Sequence, residues 1–171
     1  MSAKYTTAPE VEKLARKLIG TVARHEYLAD VRIDFIFIYE APASKGRIVL
    51  GRARKIGGLS AYLADAPPAG DPNPDGFTER NPFFVIEISF DTWQELTEGQ
   101  RVALVDHELC HCRVDFEPNT GEPKLSTVGH DVEEFACVVE RHGLWSNGLT
   151  GMGRVMSEQL SLAIDHLESA R

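Results

Sequence analysis

Residues 107–111 read His-Glu-Leu-Cys-His, and this pentapeptide narrows the fold more than any other stretch of the chain. Two imidazoles at i and i+4 share one face of an α-helix, with Cβ atoms about 6 Å apart. Both nitrogens can then reach one Zn²⁺ at roughly 2.0 to 2.1 Å. Glu108 lies next round the helix, beside such an ion and not on it. There it can hold a metal-bound water, take its proton and later hand that proton to a leaving amine. The bland alternative is a helix whose His and Glu are merely solvated or satisfied in the core.

The surrounding pattern supplies the helix. Thr97-Glu98-Gly99-Gln100 has the form of a capping box, and Val102, Ala103 and Leu104 carry the helix toward His111. A catalytic zinc takes three protein ligands and leaves one position open. His130, in Val128-Gly129-His130-Asp131, is the first candidate for the third, because it sits where an irregular loop enters a helix. Glu134, on the same helix face as His130, and the adjacent Glu133 are the alternatives.

Other chemistry-bearing residues read as structural. Cys110 and Cys112 flank His111 on different helix faces, and with Cys137 they suit a small-hydrophobe role in the core. A structural zinc closed by Cys110 or Cys112 would need four protein ligands, which helical geometry disfavours. His25 and His166 fall on polar stretches of terminal helices and read as surface residues. His142 fits a helix C-terminus, where the dipole favours it, or a donor to a developing oxyanion.

Along the rest of the chain, Pro9 suits the first turn of a helix capped by Thr7 or Thr6, with Val11, Leu14, Leu18, Ile19 and Val22 at helical spacing. Strands are predicted at 31–38, 47–50, 55–63 and 83–89. Either of the last two could be an edge that takes an extended peptide by strand addition. Residues 64–82, rich in Pro, Gly and Asp, read as a mobile surface loop. A short helix runs from Asp91 through Leu96, residues 115–129 read as irregular, and helices follow at about 131–141, stopping near Gly143, and 153–169. The last places Val155, Met156, Leu160, Ile164 and Leu167 on one face. The layout is α+β: an N-terminal helix, a small mostly antiparallel sheet, the motif helix and C-terminal helices.

With 171 residues the chain suits one domain, 1–171. Three cysteines, an odd and low number, suit a reducing compartment. No apolar run approaches the ~20 residues of a membrane span, and no signal peptide is visible. The expectation is a cytoplasmic protein of a bacterium or phage-infected host cell. A net charge of -8 argues against autonomous nucleic-acid binding. The local basic run Arg47, Arg52, Arg54 and Lys55 reads as a solvated edge strand.

The motif followed by Gly129-His130 and Phe135 resembles the SprT-like, or Spartan-type, zincin pattern H-E-x-x-H then G-H-G-x-x-F. With the Ala53–Leu59 region and Asp106, residues 10–145 more closely resemble the family named "Putative phage metallopeptidase". The resemblance implies a zincin-like fold, Zn²⁺ held by His107, His111 and His130, Glu108 as general base, and a protein or peptide substrate. Asp131 stands where the SprT pattern has its second Gly, and Phe135 comes one residue late. The basic DNA-binding extensions of Spartan-type proteases are missing. A catalytically silent zincin-like binding protein, such as a virus-encoded host modulator, is the competing reading. Its acidic surface would engage a basic partner.

Overall fold

The computed structural model describes residues 4–44, 46–64, 82–133 and 136–169. Most of the expected 64–82 loop, with Glu134 and Phe135, lies outside the described residues. The chain divides into two compact units, Met1–Val128 and Gly129–Arg171.

The first unit is built on a mixed sheet in the order β1-β2-β6-β5, where β1 is Tyr5–Thr7, β2 is Ile33–Ile38, β5 is Gly51–Ile56 and β6 is Phe83–Ser89. β2 and β6 run parallel, while β1 on β2 and β5 on β6 are antiparallel. β2 and β6 occupy the middle of the sheet and read Ile-Asp-Phe-Ile-Phe-Ile and Phe-Phe-Val-Ile-Glu-Ile-Ser. Strands paired on both sides and covered on one face or both favour such apolar, β-branched and aromatic runs. A small hairpin pairs β3 (Ala43–Ser44) with β4 (Arg47–Ile48).

Helix α1, Pro9–Thr21, lays Val11, Ala15, Leu18 and Ile19 against the sheet. The expected threonine cap is not used: Ala8 is the N-cap and makes no side-chain bond. Thr6 and Thr7 belong to β1 instead, where Thr7 pairs with Ile36. Their β-branched side chains suit that short strand, and Pro9 still starts the helix by presetting its φ. A 3₁₀ turn, Ala23–Leu28, follows α1.

The core joins α1 to Phe35 and Phe37 of β2, Phe84, Ile86 and Ile88 of β6, and Trp93 of α3 (Phe90–Glu95). It continues into Val105 and Leu109 of α4 (Glu98–His111). Each fully buried aliphatic or aromatic side chain here contributes roughly 1.5–3 kcal/mol of transfer free energy. The capping box at Thr97 forms as read: Thr97 Oγ1 accepts from the Gln100 N–H at 3.3 Å, and Gln100 Oε1 accepts from the Thr97 N–H at 3.0 Å.

Two expectations for this unit are corrected. The predicted strand 55–63 ends at Ile56, and Gly58–Ala64 forms helix α2. Gly58 turns the chain at φ 53, a left-handed conformation that glycine adopts at little cost. Beyond it, Leu59, Ala61, Leu63 and Ala64 are good helix formers. Residues 115–129, read as irregular, hold an antiparallel pair, β7 (Cys112–Phe116) and β8 (Pro123–Thr127). The turn chemistry of Pro118-Asn119-Thr120-Gly121 masked the short strands beside it.

The second unit holds α5 (Ala136–His142) and α6 (Asn147–Ser169). The Gly143 N–H donates to Val139 O at 2.8 Å, ending α5 at the expected glycine. Asp131–Glu133 are irregular, so the helix expected from about 131 does not include them. α6 starts at Asn147, earlier than read, because Ser146 Oγ accepts from the Leu149 N–H at 3.4 Å and caps it. Gly148, Gly151 and Gly153 lower the helix propensity of that first stretch and hid the start. Val155, Met156 and Leu160 on α6 are exposed.

Candidate metal centre

α4 turns its apolar stripe, Val105 and Leu109, into the core. Glu108 lies between them in this stripe and is only 3% exposed, a position where a carboxylate is costly unless something receives it. The receiver is β5. An added Cβ at Gly51 would stand 2.5 Å from Glu108 Oε1, so the carboxylate fits only because residue 51 has no side chain. Gly51 and Ala53 alternate along β5 and so share one face, and the Ala53 backbone N–H donates to the Glu108 carboxylate. Burial pushes the Glu108 carboxyl up to about 7, against the opposing pull of His111, the Ala53 N–H and Arg52. Its Oε2 is buried with no hydrogen-bond partner among the described residues.

His107 is exposed and His111 half-buried on the same helix. Their Nε2 atoms stand 3.2 Å apart, with ring planes 82° from parallel. Two nitrogens bound tetrahedrally to one zinc stand about 3.3 Å apart, so this pair fits the ion without rearrangement. The 2.6 Å bond between His111 Nδ1 and Val128 O puts the proton on Nδ1, the hydrogen going to the carbonyl. That tautomer leaves the Nε2 lone pair for a metal. The His111 carbonyl in turn accepts from the Val128 N–H at 3.0 Å, so His111 and Val128 are tied twice.

His130 is exposed and lies at the start of the second unit, two residues beyond Val128. Glu133 is exposed in the same unit, and Glu134 lies outside the described residues. His142, exposed, ends α5.

Cys112 is in the core as read: burial pushes its thiol up to about 12, and Sγ contacts Glu108 O at 3.6 Å. Cys110 is half-buried, and Cys137 is exposed where a core position was expected. His25, read as a surface residue, is fully buried, with Nε2 2.5 Å from Asp106 Oδ1. The chain leaves α1 before residue 25, and the 3₁₀ turn brings this imidazole inward. Gly51, Ala53 and Val128 escaped the sequence reading. A glycine inside a strand marks a close approach, and that signal was present at Gly51.

The peptide-edge expectation also changes. β6 is interior, between β2 and β5, and of the expected strand 55–63 only Lys55 and Ile56 lie in an edge strand, while 58–63 are helical. β5 is one edge of the sheet and β1 the other; β5 carries Arg52, Arg54 and Lys55, with Arg54 Nε 3.1 Å from Glu87 Oε1. No helix among the described residues is long and apolar enough to cross a membrane.

No curated protein and no solved structure matches the chain. A family model described as "Putative phage metallopeptidase" matches residues 3–158. With an imidazole pair spaced for one ion and a buried carboxylate beside it on the helix, the chain belongs to that metallopeptidase family.

Proposed function

We propose that the chain is a zinc-dependent peptidase of the H-E-x-x-H type, related to SprT-like zincins, with 1–171 working as one domain. The family match spans both units and favours this reading. The observation that carries it is the 3.2 Å separation of His107 Nε2 and His111 Nε2 on the helix that also carries Glu108. His130 is the third ligand in this proposal, ahead of Glu133 and Glu134. Val128 is bonded to His111, and His130 is two residues along the chain, so its Cα stands within about 7 Å of that of Val128.

When bound, Zn²⁺ would supply a Lewis acid for the scissile carbonyl and lower the pKa of a water nucleophile. Glu108 takes the proton of the attacking water on its carboxylate and delivers it to the leaving amine. A carboxylate placed beside the ion can do both. Gly51 and the Ala53 N–H hold that carboxylate in place. An extended peptide adds to the open edge of β5 by backbone hydrogen bonds.

The test joins a zinc assay to a cleavage assay on an unstructured protein substrate. Wild type cleaves it, a chelator stops cleavage and zinc restores it. His130→Ala loses cleavage and weakens zinc binding about a hundredfold or more, while Glu133→Ala keeps both. A zinc-loaded wild type that leaves every substrate intact would favour the silent binding protein.

A further inference from the structure

α4 carries a second pair of potential ligands. Asp106 and Cys110 are i,i+4, the same spacing as His107 and His111 but turned about 100° round the helix. The 3₁₀ turn Ala23–Leu28 presents His25 to this pair. A His25 nitrogen, an Asp106 carboxylate oxygen and Cys110 Sγ lie within 4.8 Å of one another. From these residues we infer that the chain has a second site for a borderline-soft ion, Zn²⁺ for preference, held by His25, Asp106 and Cys110.

The donor chemistry selects the ion. Imidazole, carboxylate and thiolate are the three side-chain ligand types of zinc, whereas Mg²⁺ and Ca²⁺ take oxygen. The geometry is close. In a tetrahedral site the donor atoms stand about 3.3 to 3.6 Å apart, so His25 and Asp106 need to part by less than about 1 Å from their 2.5 Å bond. Burial points the same way. His25 is 0% exposed, so its ring is held in place, and Nε2, the nitrogen bonded to Asp106, is the ligand atom. Ligation displaces the thiol proton of Cys110 to solvent, as thiolate sites require. The bound ion would link the 3₁₀ turn to the helix that carries His107, Glu108 and His111.

Cobalt(II) reads the two sites separately, because thiolate–cobalt bonds give a near-ultraviolet charge-transfer band that His ligands do not. The full chain should bind two equivalents and show this band. Cys110→Ser should lose the band and one equivalent while keeping the visible bands of the His107–His111 site. Asp106→Asn should weaken the band at least tenfold in cobalt affinity. His107→Ala should keep the band and lose the other site, so the failure of either centre is seen without the other. One equivalent per wild-type chain with no charge-transfer band would overturn the inference, as would a band that survives Cys110→Ser.

Discussion

Glu108 is a carboxylate on the buried stripe of a helix, and its surroundings explain how the fold tolerates it. Gly51 leaves room and Ala53 gives a backbone donor. Gly51→Ala therefore places a methyl 2.5 Å from Oε1 and forces the carboxylate aside. A shift of about 1 Å at a reacting group costs about a hundredfold in rate. Hydrolysis should fall by that order, with zinc content unchanged; an unaltered kcat would remove Gly51 from the account. The same burial makes the zinc-stripped chain sensitive to pH. A carboxyl at about 7 folded against 4.5 ordinarily binds its proton more tightly in the folded state. Its stabilising effect is full below about 4.5 and is lost as pH rises through about 7. In chelator, the wild-type Tm should fall across that window relative to Glu108→Gln, and parallel curves would contradict it. The placement of His107, Glu108 and His111 together on one helix was legible because their spacing is local. Gly51 and Val128 were not, since their partners lie far away in sequence.

At the scale of elements, α4 is specified almost entirely by its own sequence. The capping box at Thr97 and Gln100, the apolar stripe and the chain's turn into β7 fix both ends. Thr97→Ala should cost about 1 kcal/mol and lower Tm by about 2–4 °C. Thr97 is about 15 Å along the helix from His107, so kcat measured well below Tm should hold. A parallel fall in kcat would mean that the cap also sets the site. β6 was equally legible, as a long apolar run. The short elements were not. β1, β7 and β8 hold three to five residues each and depend on pairing partners, so local pattern carries little of their signal. α2 turned helical because glycine broke the strand and helix formers followed.

At the scale of the whole molecule, the family match over residues 3–158 and the site on α4 support one reading. A rigid sheet and helix place two imidazoles spaced for one ion and a buried carboxylate beside them, with β5 at an edge of the sheet in the same unit. The α+β class was readable from element order. The sheet order was not, because it depends on which distant strands pair. The central claim is that Glu108 moves the proton in metal-assisted hydrolysis. It is tested most directly by comparing wild type and Glu108→Gln, at equal zinc content, for cleavage of an unstructured protein. The account predicts that the variant keeps its zinc and fold and loses roughly 10²- to 10⁴-fold in kcat. Cleavage by Glu108→Gln at the wild-type rate would contradict it.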